Sequence, residues 1–179
     1  MNYLNHFNKH LVILGIVLCN SITSSWAIDE GKPAPSIEGK LINGMSVKLN
    51  KTDKSVVIVN FWASWCAPCR QEMPALEAYY QQHKAQGLRV LAISMDDPTD
   101  DDKVRAVMRS YSFPAAFNRD VDYSGYGRIW RMPMTFVIDS KGILRKDGSV
   151  GDPKIDLPTL EKVVTPFTNK RSEQPAIES

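Results

Sequence analysis

Residues 56–69 read VVIVNFWASWCAPC, an apolar run followed directly by two cysteines that are separated by two residues. The apolar run, 56–62, predicts a buried strand, and residues 70–86 after the cysteines predict a helix. The first sulfur of a Cys-x-x-Cys at such a junction lies near the positive end of the helix dipole, which favours its thiolate. The position therefore suits reversible disulfide chemistry.

Strand and helix patterns continue on both sides of this segment. An Asn-Gly turn between short apolar stretches predicts a hairpin over 41–47. Further predicted segments are strands at 88–94, 134–139 and 143–146, helices at 104–111 and 157–167, an extended piece at 113–117 and a helical turn at 123–130. Strands that alternate with helices and end in a hairpin and a helix indicate an α/β fold around a mixed sheet.

The first 27 residues have the pattern of a secretory signal. Lys9 precedes the apolar stretch 11–19, and Ser25-Trp26-Ala27 puts small residues where signal peptidase acts. The stretch is shorter than the ~20 residues that span a bilayer, although an uncleaved membrane anchor is the alternative. We expect a signal over 1–27, one domain over 28–170, a loose tail over 171–179, and a periplasmic or otherwise extracytoplasmic location.

Composition narrows the function of the expected mature chain. Of 22 Lys and Arg residues only Lys9 lies in the signal, which leaves 21 basic against 20 acidic residues. This near balance, without a basic patch, argues against a nucleic-acid partner. The remaining cysteines are Cys66 and Cys69, and a disulfide that closes so short a loop adds little stability. A purely structural role is therefore a weak explanation for the pair.

Metal binding stays open, because Cys-x-x-Cys also occurs in zinc sites. Zinc normally takes four ligands, whereas the mature chain adds one histidine, His83, far from Cys66 in sequence. His83 is expected to be an exposed polar residue. The acidic run 96–102 lacks the spacing of an EF-hand and predicts a solvated loop and helix cap. No metal or cofactor is expected, with a metal-binding or copper-delivery module as an alternative.

The segment 59–74, VNFWASWCAPCRQEMP, resembles the active-site segment of the thioredoxin superfamily, and more narrowly that of the exported TlpA/ResA-like thiol-disulfide oxidoreductases. Gly-Lys-Pro-Ala-Pro at 31–35, the hairpin that follows, MPMTF at 132–136 and the extra segment at about 96–130 fit the same family. The resemblance implies a thioredoxin-like mixed sheet flanked by helices, with an N-terminal β-hairpin and a central insert.

The resemblance also implies roles for particular residues. Cys66 would attack as the thiolate, and Cys69 would resolve the mixed disulfide. Pro133 would be a cis-proline packed against the sulfurs, although a proline that simply opens a strand is the simpler interpretation of the sequence alone. Met132 would offer backbone hydrogen bonds to a client peptide. Trp65 would complete an apolar rim, or else pack on the surface without specificity.

Two further positions distinguish this chain from cytosolic thioredoxin. Asn60 stands where thioredoxin has a buried aspartate, so that route for a proton is missing. Glu72 matches the acidic residue that the ResA-like branch places near its thiols. If it is partly buried, its pKa is raised and it exchanges a proton with Cys69. The alternative is a glutamate of the first helical turn that faces water and interacts with the helix dipole.

The family resemblance implies an enzyme that reduces disulfides of exported partner proteins, for example during cytochrome c maturation. A membrane thiol-electron donor of the DsbD/CcdA kind is the implied partner. A net disulfide oxidase is an alternative, disfavoured because DsbA-like oxidases usually carry a histidine where this chain has Ala67-Pro68.

Overall fold

The computed structural model describes residues 28–50 and 54–168. The predicted signal over 1–27 and the predicted tail over 171–179 lie outside these residues. Within the described part of the chain, no helix is long and apolar enough to cross a membrane.

Eight strands and four helices form the described fold, joined by short 3-10 turns. The strands are β1 (Ile37–Lys40), β2 (Ser46–Leu49), β3 (Val56–Trp62), β4 (Leu88–Ser94), β5 (Ala115–Phe117), β6 (Val121–Asp122), β7 (Met134–Ile138) and β8 (Leu144–Lys146). The helices are α1 (Ala67–His83), α2 (Asp101–Met108), α3 (Leu157–Val163) and α4 (Thr165–Thr168). The predicted α/β fold, N-terminal hairpin and insert are confirmed.

Three helices differ from their predicted bounds. Helix α2 covers Asp101–Met108 and so lies three residues before the predicted 104–111. Helix α1 begins at Ala67, before the predicted start at residue 70, because Cys66 caps it. The last predicted helix is divided at Val164 into α3 and α4. Pro166 explains the division, since proline lacks an N–H for the helical ladder and its ring crowds the carbonyl four residues earlier.

The main sheet has five strands in the order β5-β4-β3-β7-β8. Strands β3, β4 and β5 are parallel to one another, whereas β7 runs antiparallel to both β3 and β8. The carboxyl ends of β3 and β4 therefore meet at one edge with the amino end of β7. Residues that follow β3 and β4, and those that precede β7, are brought together there.

Strand β3 divides the core into two layers, because successive side chains of a strand point to opposite faces. Val56, Ile58 and Trp62 pack on the face that carries α1 and α3. Val57, Val59 and Phe61 pack on the other face, against the N-terminal hairpin and the insert. All seven residues of β3 are buried, which explains why the run lacks an alternating polar pattern.

The insert joins the main sheet and also reaches the hairpin. Strand β5 pairs with β4 at the edge of the main sheet, and β6 pairs with β1 in a second sheet of order β2-β1-β6. Gly39 permits the second contact, since a Cβ there would lie 2.1 Å from the carbonyl oxygen of Asp120. Its φ of +152° is also disfavoured for a residue with a side chain.

The prediction for His83 is wrong. The residue is buried, its ring lies 4.3 Å from that of Tyr79, and its Nδ1 is 2.9 Å from Oε1 of Gln86. His83 and Tyr79 are four residues apart, so both belong to the inner face of α1. The buried face of α1 therefore extends to His83, the last residue of the helix.

Candidate active site

The two cysteines lie at the amino end of α1, just beyond the end of β3. Cys66 is the N-cap residue of the helix, with extended backbone geometry, and its Sγ accepts a hydrogen bond from the N–H of Cys69 at 3.2 Å. The sulfurs form a disulfide with an S–S distance of 2.04 Å. The sulfur of Cys66 thus occupies the place where a helix N-terminus favours negative charge.

The two sulfurs differ in access and surroundings. Cys66 is 5% exposed and Cys69 is 0% exposed. Pro68, in the first turn, has no N–H to offer, and the hydrogen bond to Cys66 Sγ comes from the N–H of Cys69. Cys66 is therefore the more accessible sulfur, and its thiolate has limited hydrogen-bond support.

The loop before β7 lies beside the disulfide. The Met132–Pro133 peptide bond is cis, and Met132 packs against the cluster that contains both cysteines. The pairing of Phe61 with Met134 sets this loop next to the end of β3. The cis geometry expected from the family resemblance is confirmed.

Exposed aromatic rings border this region. Trp65, directly before Cys66, is 65% exposed, and Trp130, in the loop before Met132, is exposed as well. The guanidinium of Arg131 lies 5.0 Å from the Trp130 ring, within cation–π distance. Sequence reasoning identified Trp65 and missed Trp130, whose place follows only from its position three residues before the cis-proline.

Arg131 joins the cis-proline loop to the segment after β8. Its Nη2 donates hydrogen bonds to the carbonyl oxygens of Gly148 and Gly151, at 2.9 and 3.2 Å. Gly148 itself packs on β7, where a Cβ would lie 2.5 Å from the backbone nitrogen of Thr135. The segment after β8 is thereby held closely against the backbone that follows the cis-proline.

We expect Gly148→Ala to destabilise the fold. The added methyl would also lie 2.8 Å from the carbonyl oxygen of Thr135, so strand or loop must shift. Overpacking of this kind costs about 1–3 kcal/mol in free energy of unfolding, which urea denaturation would measure. Ser149→Ala, one residue along the same loop, is the control and should change stability far less. Equal stability of the two variants would contradict the close packing.

Glu72 is a buried acid on the same helix as the cysteines. It is 7% exposed and lies three residues after Cys69, on the same side of α1. Burial raises the pKa of Glu72 to about 8. The hydrogen bond from Asn60, the N–H of Ile155 and the charge of Lys146 lower the pKa by less. The expected burial and raised pKa are confirmed, and the water-facing alternative is wrong.

Asn60 connects Glu72 to β7. Its Nδ2 donates to Oε1 of Glu72 at 3.0 Å and to Oγ1 of Thr135, its cross-strand partner, at 2.9 Å. Asn60 Oδ1 is buried without a hydrogen-bond partner among the described residues. The position that carries a carboxylate in thioredoxin thus holds an amide that fixes the orientation of Glu72.

Asp96 corrects the prediction of a solvated acidic loop. It is 2% exposed, and its two carboxylate oxygens accept hydrogen bonds from Ser64 and Ser94. Sequence reasoning missed this contact, although a signal was present. Ser64 follows β3 and Asp96 follows β4, and the carboxyl ends of adjacent parallel strands lie together.

A groove of about 600 Å³ lies beside the disulfide. It runs between α1 and α2, with Ala67 and Arg70 on one side and Val107 and Tyr111 on the other. Among the residues that the structure describes, no group of three or more His, Cys, Asp or Glu side chains could hold a metal ion.

Comparison with known proteins agrees with this architecture. Residues 31–147 match the AhpC/TSA family. The chain belongs to the AhpC/TSA family. It is 34% identical to the thioredoxin-like protein YneN of Bacillus subtilis over 121 residues, which cover 66% of this chain and 70% of that protein. It is 30% identical to the thiol-disulfide oxidoreductase ResA of Geobacillus thermodenitrificans, over 76% of this chain and 79% of ResA.

A solved structure agrees with the membership in the AhpC/TSA family. A Chlorobium tepidum structure named as a thiol:disulfide interchange protein, DsbE, superposes with a TM-score of 0.65 at 30% identity, covering 80% of this chain and 100% of that one. The thioredoxin-like fold and the resemblance to ResA-like proteins are confirmed. The chain is a thiol-disulfide oxidoreductase whose redox pair is the Cys66–Cys69 dithiol.

Proposed function

We propose that this protein works outside the cytoplasm as a reductase, passing electrons from its dithiol to disulfides of exported partner proteins. Cys66 attacks the partner disulfide as a thiolate, and a mixed disulfide forms while one partner sulfur leaves. Cys69 then attacks Cys66, which releases the reduced partner and leaves the Cys66–Cys69 disulfide. The greater exposure of Cys66 supports this order of events.

The reducing direction rests on the weak support for the Cys66 thiolate. A strong oxidant of this class owes its high potential to a stabilised reduced form. Here one N–H, that of Cys69, reaches Cys66 Sγ, and Pro68 withholds another. Weak stabilisation of the thiolate shifts the equilibrium toward the disulfide, so the dithiol is the better electron donor.

Glu72 exchanges a proton with Cys69 in this proposal. With a pKa of about 8 it is mostly protonated at neutral pH, and it lies one helical turn from Cys69. When Cys69 attacks Cys66 it must lose its proton, and the minor ionised form of Glu72 accepts that proton. The protonated form of Glu72 returns a proton when Cys69 becomes a thiol again. Burial of the Glu72 side chain keeps this exchange away from bulk water.

The client binds along the loop that contains Met132 and Pro133. Backbone groups of Met132 pair with an extended client segment, and the exposed ring of Trp65 covers its apolar side chains. Clients are exported proteins that carry disulfides, and the names ResA and DsbE among the relatives make cytochrome c maturation one candidate process. A DsbD/CcdA-type membrane protein is the proposed electron donor.

The proposed location follows from the signal-like residues 1–27, which are removed to leave a domain over 28–170 and a tail over 171–179. The mass of the protein recovered from the cell envelope tests this proposal. A protein that begins at Ile28 supports it, whereas a full-length chain in the membrane fraction supports the uncleaved anchor.

The direction of electron flow is tested by equilibration with glutathione buffers at pH 7. We expect a potential of roughly −230 mV or lower, in the range of thioredoxin and the glutaredoxins. A value near −120 mV, that of DsbA, would overturn the reductase and favour the oxidase. Stoichiometric binding of zinc or copper to the reduced protein, without any exchange with glutathione, would favour the metal-binding alternative.

A further inference from the structure

Asp96 makes an unusual contact for a residue outside the cysteine motif, because it holds the turn that leads into that motif. Its Oδ2 accepts from the backbone N–H of Ser64 at 2.9 Å, and its Oδ1 accepts from the Ser64 hydroxyl at 2.6 Å. Oδ1 is also 3.1 Å from the same N–H. Both hydrogen-bond donors of Ser64 are therefore bound to one buried carboxylate.

The carboxylate is itself fixed from β4. The hydroxyl of Ser94 donates to Asp96 Oδ2 at 2.7 Å, and the N–H of Asp96 donates back to that hydroxyl oxygen at 3.2 Å. Both carboxylate oxygens act as acceptors, as those of an ionised carboxylate do. Lys103 of α2, which forms an ion pair with Asp100 at 2.7 Å, also interacts with the charge of Asp96.

A short hydrogen-bonded turn links the contact between Asp96 and Ser64 to Cys66. The N–H of Cys66 donates to the carbonyl oxygen of Ala63 at 3.1 Å, so residues 63–66 form one hydrogen-bonded turn around Ser64. Two residues span at most about 7 Å. The nearer oxygen of Asp96 therefore lies within roughly 10 Å of the Cys66 backbone nitrogen.

We propose that Asp96 is a positioning residue for Cys66, which fixes the turn that carries the sulfur and sets a buried negative charge close to it. The fixed turn keeps Cys66 in place for reaction with Cys69. The charge opposes formation of the Cys66 thiolate, as any nearby like charge does. Both effects stabilise the disulfide relative to the dithiol, and this inference rests on the proposed reducing role of the pair.

Three variants of the full chain separate this role from a purely structural one. Asp96→Asn removes the charge at constant shape, and Ser64→Ala removes one hydrogen bond while the charge stays. Asp97→Asn is the matched control, because it removes the charge of the next residue, whose side chain is exposed. The pKa of Cys66 is measured from the pH dependence of iodoacetamide alkylation in the reduced protein, with the alkylated cysteine identified by mass spectrometry.

Charges on the neighbouring elements stay constant in these variants, including Lys103 on α2 and Arg70 and Glu72 on α1. We expect Asp96→Asn to lower the pKa of Cys66 by about half a unit to one unit. Ser64→Ala should lower the equilibrium constant for the disulfide against glutathione by roughly three- to tenfold, because a hydrogen bond to a charged group is lost. Asp97→Asn should change neither quantity.

The proposal is overturned if Asp96→Asn and Ser64→Ala match Asp97→Asn in both measurements and differ only in thermal stability. If Asp96→Asn does not fold, Ser64→Ala decides, since it keeps the carboxylate and both backbone contacts. The proposed reductase function is tested by a different experiment, and it fails if the protein forms no mixed disulfides with partner proteins. The pKa and the equilibrium constant can be measured in either case.

Discussion

Cys69→Ser should react with a partner disulfide once and then stop. Cys66 remains to attack, but no thiol is left to resolve the mixed disulfide, so a one-to-one covalent complex accumulates. Multiple-turnover reduction of a disulfide substrate should fall to the uncatalysed rate. Non-reducing electrophoresis of envelope extracts, followed by mass spectrometry of the trapped species, measures the first effect and identifies the client.

Cys66→Ser is the matched control for this experiment. It keeps one thiol, that of Cys69, whose side chain is fully buried. It should lose turnover to the same extent yet trap no partner. If Cys66→Ser traps partners as well as Cys69→Ser does, the assignment of attacking and resolving sulfurs is wrong.

Glu72→Gln should lower disulfide reduction at pH 7 by about ten- to a hundredfold, the lower part of the range for a positioned acid or base. Glutamine keeps the size of the side chain and can accept the hydrogen bond from Asn60, so the fold should persist. The pH dependence of the rate should lose the ionisation that the wild type shows near its pKa of about 8. Glu161→Gln, on the exposed surface of α3, should leave the pH profile unchanged.

Stability gives an independent measurement on the same residue. The pKa of Glu72 is about 8 in the folded protein, whereas the ordinary value for a glutamate is 4.5. Between these pH values the folded protein therefore holds a proton that the unfolded chain has lost. Folding stability therefore falls as pH rises through this window, by about 1 kcal/mol per unit. Urea unfolding of the oxidised protein at pH 5 and pH 8 should show this loss. The loss should be much smaller in Glu72→Gln, and an equal loss in both proteins would refute the buried acid.

Much of the fold was accessible from the sequence because its signals are local. The run 56–62, the turn at Asn43-Gly44 and the cysteine spacing each specify structure within a few residues. The strand, hairpin and motif were therefore found at nearly their observed positions. The bounds of α1 and the division near Pro166 also have local causes, namely capping by Cys66 and the missing proline N–H.

The remaining features depend on distant segments. Glu72 has a high pKa because the fold buries it, and nothing near Glu72 in sequence indicates that burial. Asp96 looked like one of several surface acids, although it alone reaches across to Ser64. Arg131 binds carbonyl groups seventeen and twenty residues further along the chain. Contacts of this kind follow from topology, which the resemblance supplied only in outline.

The pairing of β1 with β6 has a consequence for how the chain is made. Val121 is added about 80 residues after Lys40, so the N-terminal hairpin emerges first and waits with one edge unpaired. An unpaired edge is a template for pairing with another chain. Chains that stall or are cut before residue 121 should therefore aggregate more readily than the finished protein, and the insert acts during biogenesis as the segment that closes this edge.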